Sequence, residues 1–146
     1  MREHMGLFRG KRIDNDEWVE GWLVIKKDPI LDVTYYFILA YGKGESYVTW
    51  YPVDPDTVGE CTGLRDKNGK LIFEGDIVEG HCHSAWSHCL QRCVVAYGRD
   101  RFEARHHIDG IDSEYYTYRV LFSKDVVVVG NVTDNPELLK GGEGDG

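Results

Sequence analysis

The sequence predicts an all-β or β-dominated α+β protein of small antiparallel strands, with a partly open SH3-like barrel in its C-terminal half. Three observations carry this expectation. Runs of Val, Ile, Thr and aromatic residues recur at strand length between clusters of Gly, Pro, Asn and Asp. One of them, Trp18 to Ile25, sets Trp18, Glu20, Trp22 and Val24 against Val19, Gly21, Leu23 and Ile25, the period-two alternation of a strand with unequal faces. Only the stretch from Asn135 reads as helical, with Asn135 as cap, Pro136 at the first helical position and Glu137 at the positive end of the turn.

Taken in order, Phe8 to Arg12 is a short strand whose charges suit an exposed edge. Trp18 to Ile25 ends in the turn Lys26-Lys27-Asp28-Pro29, and Val33 to Ala40 returns as its hairpin partner. Tyr47 to Tyr51 is a further strand, followed by a loop or helical turn around Pro52 and Pro55. A boundary falls near Val58 to Cys61, dividing the chain into sub-domains 1–60 and 61–140, with 141–146 as a disordered Gly-rich tail. Beyond it, Asn68-Gly69 predicts a type I′ turn, which needs positive φ at both central residues. Gly75-Asp76-Ile77-Val78 is a turn feeding a strand, like the first strand of many SH3-like barrels. Val94 to Tyr97, Arg101 to His106, Tyr116 to Phe122 and Val126 to Val129 complete the set, and the run of four valines predicts a strand buried on both faces.

The chain has 146 residues, enough to bury a core without disulfides or metal. Its formal charge of -8 disfavours nonspecific binding to nucleic acid, because phosphate repels an acidic surface unless the cations are segregated. No stretch approaches the roughly 20 apolar residues of a membrane helix. The N-terminus lacks the pattern of a signal peptide, so a cytoplasmic location without membrane association is expected. In that setting Cys61, Cys82, Cys89 and Cys93 are expected as thiols.

The run Thr62-Gly63-Leu64-Arg65-Asp66-Lys67-Asn68-Gly69-Lys70-Leu71-Ile72-Phe73-Glu74-Gly75-Asp76-Ile77-Val78 is answered near the C-terminus by Val129-Gly130-Asn131-Val132-Thr133-Asp134-Asn135-Pro136-Glu137-Leu138-Leu139. With the opening Leu7-Phe8-Arg9-Gly10-Lys11-Arg12 and Glu17-Trp18-Val19-Glu20-Gly21, these segments resemble the YopX family over residues 1–140. The resemblance implies a protein of bacteriophages and integrated prophages, acting in a bacterial host cell. It implies no assigned reaction.

The densest chemistry lies in His81-Cys82-His83-Ser84-Ala85-Trp86-Ser87-His88-Cys89-Leu90-Gln91-Arg92-Cys93. Four such ligands would suit zinc, but the spacing does not form the usual knuckle pairs, and His81 and His83 share one strand face while Cys82 takes the other. A hairpin loop rich in His and Cys, with Cys93 entering the next strand, is the preferred reading, and a redox pair is a further alternative. Glu74 and Asp76 could act as acid and base, yet carboxylates beside Gly75 more often cap a turn. Asp134 and Asn135 read as helix-start residues, and His106-His107 as a strand end. Gly42-Lys43-Gly44 lacks the rest of a phosphate loop and is a turn. Arg2, Arg9, Lys11 and Arg12 around Phe8 could form a phosphate-binding strip, though the charged edge strand is favoured.

No catalytic, metal or cofactor site is therefore assigned, and no enzyme activity is expected. Four Trp, nine Tyr and five Phe in a short chain point to an interaction or assembly module, since these side chains dominate interface cores. The expected partners are a second copy of the chain or an unknown host or phage protein. Trp18/Trp22 and Tyr115/Tyr116/Tyr118 are the candidate faces, and the strands Phe8 to Arg12 and Tyr35 to Leu39 the candidate edges. One alternative is a nucleic-acid-binding barrel face, which requires Arg2, Arg9, Lys11, Arg12, Arg99, Arg101 and Arg105 to converge. Another is a zinc- or thiol-dependent protein using His81 to Cys93.

Overall fold

The structure, a computed structural model, describes residues 6–42, 44–84, 87–97, 101–108, 111–113 and 124–139, of which 82–84, 87–89, 91, 106–108 and 111–113 are described by backbone alone. The expected strand Tyr116 to Phe122, the cluster Tyr115/Tyr116/Tyr118 and the tail 141–146 lie outside the described residues. The architecture is mostly antiparallel β-sheet, and the chain divides into two units after Cys61.

The first unit holds β1 (Phe8–Arg12), β2 (Trp18–Asp28), β3 (Val33–Tyr41) and most of β4 (Val48–Arg65). β1 pairs with the first part of β2, the rest of β2 pairs with β3, and β3 pairs with the start of β4. The later part of β4 then returns to pair with β1. The ladders thus form a closed circuit, and β1 and the later part of β3, from Phe37, run between two partner strands. The expected edge character is corrected accordingly for Phe8 to Arg12 and for Phe37 to Leu39, while Tyr35 and Tyr36 pair with β2 alone. Charge misled the reading of β1, because Arg9 and Lys11 are accommodated over the ring of Trp18, at 4.8 and 5.9 Å, without needing a free edge.

Two boundaries also move. β2 runs on to Asp28, whose Oδ1 accepts the N–H groups of Ile30 and Leu31 at 2.8 and 3.0 Å, so the reversal is Pro29 to Asp32. Asp32 takes φ 53° there. The segment around Pro52 and Pro55 is extended strand. Pro52 stands where β4 changes partner from β3 to β1, and Pro55 lies in a bulge where the register with β1 shifts. Both are places where a missing N–H costs no ladder bond. The bulge is fastened by Thr57, whose hydroxyl donates to the Asp54 carbonyl at 2.6 Å and accepts the Lys11 N–H at 2.8 Å. Ile38, Ala40 and Val53 form the buried layer of this unit.

The second unit begins with the end of β4 and adds β5 (Leu71–Phe73), β6 (Asp76–Ser84), β7 (Ser87–Tyr97), β8 (Phe102–Ile108), β9 (Ile111–Ser113), β10 (Val127–Asn131) and a single 3-10 turn at Pro136–Leu139. Its main sheet has the order β10-β6-β7-β8-β9. Ile72, Val78, Cys93, Val95, Ala104 and Val126 make the core, flanked by Leu64, Phe102 and Val128. The valine run is not buried on both faces: Val126 is buried and Val129 exposed, because β10 ends the strand order and its register with β6 shifts between Val128 and Gly130. Cys61 and Cys93 are buried thiols in no disulfide.

The turn at Asn68-Gly69 also differs from expectation. Asn68 has ordinary φ and only Gly69, at φ 83°, is left-handed. Gly69 N–H donates to the Asp66 carbonyl at 2.9 Å and Asp66 N–H to the Lys70 carbonyl at 2.8 Å, the three-residue connection that needs a single left-handed residue.

The two sequence motifs meet in this unit. Asp76 faces Asn131 and Ile77 faces Gly130 across the β6–β10 ladder, Val132 N–H donates to the Gly75 carbonyl at 2.9 Å, and Lys67 N–H donates to the Val126 carbonyl at 2.8 Å.

Candidate functional site

Strand alternation gives the β2–β3–β4 sheet two unequal faces. Ile38 and Ala40 point to the buried layer, so Phe37, Leu39 and Tyr41 point the other way. The register aligns Trp22, Leu39 and Trp50 in one row and Val24, Phe37 and Pro52 in the next, with Lys26 opposite Tyr35 beyond them. This outward face is apolar and aromatic, yet Trp22 is 55% and Trp50 44% exposed. Phe37 meets Trp50 edge-on at 5.6 Å and Tyr35 at 6.5 Å, and the Lys26 ammonium lies 4.8 Å from the Trp50 ring centre. Packed rings of this kind form a preformed surface with little side-chain freedom left to lose on contact. The hairpin tip extends it, with Ile30 90% exposed on the turn that Asp28 holds.

The basic residues near the N-terminus are differently placed. The Arg12 guanidinium grips Asp14 through two bonds, at 3.0 and 2.6 Å, and lies 4.6 Å from the Tyr51 ring centre. The Arg12 hydrogen bond lowers the Asp14 carboxyl below its usual range. A pocket of about 360 Å³ opens here, lined by Lys11, Arg12, Ile13, Asp16, Asp54 and Pro55. Two cations and two carboxylates on its walls make it nearly neutral, a poor phosphate strip. Arg2 lies outside the described residues.

The His81 to Cys93 segment is not a loop. Residues 81–84 and 87–93 are the paired arms of β6 and β7, because strand-forming Val78 and Val94 at their base continue into the ladder. His81 meets Asp125, which accepts its backbone N–H at 3.2 Å and bonds Nδ1 of its ring. Among the described residues no group of three metal-ligating side chains converges. The side chains of Cys82, His83, His88 and Cys89 lie outside the described residues.

Asp76 does cap a turn, its Oδ2 accepting the Phe73 N–H at 2.8 Å from a buried position. Glu74 is half-buried beside it. Asn131 caps the following turn, accepting N–H bonds from Thr133 and Asp134 at 3.0 and 2.8 Å, while the Asn135 side chain turns back to the Asn131 N–H at 3.2 Å. Glu45 N–H bonds the Gly42 carbonyl at 2.9 Å, as a turn requires, with Lys43 outside the described residues. His106 and His107 lie on β8, described by backbone alone.

Two residues escaped sequence reasoning. Asp66 is buried and accepts N–H bonds from Asn68 and Lys70 at 2.9 Å each and from Val128 at 3.0 Å. The pattern Asp66-Lys67-Asn68-Gly69 carries an Asx-turn signal that could have found half of this. Asp125 has no local signal, since its partner is 44 residues away.

Comparison with protein families matches the YopX protein model to residues 7–140. The chain belongs to the YopX family. The match runs from the entry to β1 to the end of the 3-10 turn, so both units are included. Among solved structures, the crystal structure of protein EF1440 from Enterococcus faecalis is similar, with a TM-score of 0.51 and 25% identity over 93% of this chain and 99% of that one. No curated protein matches the chain. Of the segments that carried the resemblance, Thr62 to Val78 and Val129 to Leu139 meet in the second unit, through the bond from Val132 N–H to the Gly75 carbonyl and the pairing of Asp76 with Asn131.

Proposed function

We propose that this chain is a non-enzymatic interaction and assembly module, and that its working surface is the aromatic face of β2 to β4. The observation that carries this is the row Trp22, Leu39, Trp50 with Phe37 and Tyr35 beside it, exposed on the β2–β3–β4 sheet. Edge pairing is thus not available to β1 or to the Phe37–Tyr41 part of β3, and the aromatic side chains are what this face offers for contact. The occupant is a second copy of the chain. The rows through Trp22, Val24 and Lys26 carry Lys26 as their charged side chain, with the carboxylates Glu20 and Asp28 of β2 and Asp54 of β4 at the margins of the same face, so two copies can meet about a two-fold axis through its apolar centre, and symmetric homomers are the commonest assemblies.

The wider setting is a phage or prophage protein acting in the cytoplasm of a bacterial host, a reading supported by the family resemblance. Within the second unit, the order β10-β6-β7-β8-β9 supports a partly open SH3-like barrel. Nucleic-acid binding is less well supported. Arg12, Arg92 and Arg105 are matched to Asp14, Glu79 and Glu103, and matched cations release few counterions on binding phosphate.

Sedimentation velocity over about a hundredfold range of concentration tests the proposal. Wild type is expected to form a dimer, and Trp22→Lys with Trp50→Lys to remain monomeric at unchanged circular dichroism. A single species near 16.7 kDa throughout the wild-type range overturns it.

A further inference from the structure

β2 and β3 stay paired beyond the point where their outer partners leave them. β1 accompanies β2 only from Trp18 to Gly21, and β4 accompanies β3 only from Phe37 to Tyr41. The pairs Ile25–Tyr36, Lys26–Tyr35, Lys27–Thr34 and Asp28–Val33 continue as a two-stranded ribbon about 13 Å long, closed by the turn Pro29 to Asp32. Among the described residues no strand pairs with either outer edge of this ribbon. A two-stranded ribbon is marginal by itself in water, and a third strand steadies it. Ile25, Val33 and Tyr35 are exposed on it.

The two edges differ in what they offer. The β2 edge carries Lys26 and Lys27, and lysine is a common guard against unwanted strand pairing. Val33-Thr34-Tyr35-Tyr36 on the β3 edge has no charge, glycine or proline, and every residue in it is a strand former. It is also complementary to itself. A two-fold axis normal to the sheet joins two copies of this edge antiparallel and keeps each face on its own side, so opposed residues differ by an even number in the sequence. An axis at Thr34 then sets Thr34 of one copy against Thr34 of the other, with Val33 opposite Tyr35 on both sides of it. Thr–Thr and aromatic–β-branched pairs both stabilise antiparallel strands, and no like charges meet.

We propose that Val33 to Tyr36 is a pairing edge for the same edge of a second copy, centred on Thr34, which makes the sheets of two copies continuous. This rests on the reading of the chain as a self-assembling module and adds a second contact to the aromatic face. The axis normal to the sheet turns both aromatic faces the same way and leaves them uncovered, so the two contacts do not compete. A ladder of four residues buries far less than the roughly 1,200 Å² of a stable interface. The face contact therefore forms first, and the edges join the resulting dimers into larger symmetric assemblies.

Disulfide trapping and sedimentation test the pairing. With Cys82→Ser and Cys89→Ser as background, Thr34→Cys is expected to cross-link to a second copy on oxidation at least tenfold faster than Lys27→Cys, an exposed position opposite it on the guarded edge. Directly opposed residues of an antiparallel pair have Cα atoms about 4.5 to 5.5 Å apart, within disulfide reach. In sedimentation velocity, wild type should show species larger than a dimer at the top of its concentration range. Thr34→Lys, which brings two ammonium groups face to face, should stop at the dimer with unchanged circular dichroism. Equal cross-linking at the two positions, or Thr34→Lys assembling as wild type does, overturns the pairing. A wild type that stops at the dimer overturns it too and leaves the aromatic contact standing, whereas a monomer throughout overturns both. Should the serine background fail to fold by circular dichroism, the sedimentation comparison decides.

Discussion

Asp66 ties the start of the second unit to its end with one side chain. Burial works to raise its carboxyl, yet the N–H bonds from Val128, Lys70 and Asn68 outweigh this and hold it below the ordinary carboxylate range. A carboxylate that must accept three N–H groups has no neutral substitute, because an amide offers one acceptor oxygen and turns an NH₂ toward a donor. Asp66→Asn is therefore expected to cost about 2 kcal/mol near neutral pH, the penalty of leaving a buried N–H unpaired. The sign of its pH dependence follows from the lowered value. The stabilisation is complete above the unfolded Asp value of about 3.9 and fades as pH falls through the folded value. Urea melts should thus show the two proteins converging in acid, and a gap that widens there would reject this role.

Elements were legible in the sequence where one local rule decided them, and not where pairing partners did. The alternation of Trp18 to Ile25 and the aromatic run Val33 to Ala40 announced β2 and β3 because side-chain period is a local property. The double pairing of β1 was not legible, since nothing in Phe8 to Arg12 encodes that β4 comes back to it. The prolines of β4 were misread for the same reason: whether an N–H is needed depends on the neighbour strand. The aromatic face was legible by half, Trp22 being foreseen, while Trp50 and Phe37 join it only through register. Asp125 beside His81 was beyond reach, as was the meeting of Asp66 with Val128 across 62 residues. At the β4–β5 turn, glycine was foreseen and the turn type was not. A Cβ on Gly69 would meet nothing within 4 Å, so crowding plays no part and only its φ of 83° resists substitution. Gly69→Val is expected to lower stability by about 1 to 2 kcal/mol, and Gly69→Asn by clearly less, because Asn tolerates the left-handed region. Equal melting temperatures for the Val and Asn variants would mean that backbone strain is not what selects glycine here.

Over the whole molecule, charge and apolar surface act in opposite directions on assembly. Each chain carries a formal -8, so two copies repel at long range, while the proposed contact through Trp22, Leu39, Trp50, Phe37 and Tyr35 is short-ranged and nearly uncharged. Salt separates the two. At about 0.01 M ionic strength the screening length is about 30 Å, comparable to the size of a small domain, and repulsion spans the interface; at about 0.15 M it is about 8 Å and repulsion is confined to near neighbours. Apolar contact is not weakened by this screening. The dimer is therefore expected to tighten as salt is raised from about 0.01 to 0.15 M, most steeply at the low end where the screening length changes most. An interface built on Arg and Lys meeting Asp and Glu, or one bridged by bound nucleic acid, would respond in the opposite direction, loosening with salt. Sedimentation equilibrium of wild type at three ionic strengths reads the sign directly. A dissociation constant that rises with salt would assign the contact to the charged residues around Arg12 and Arg105 rather than to the aromatic face.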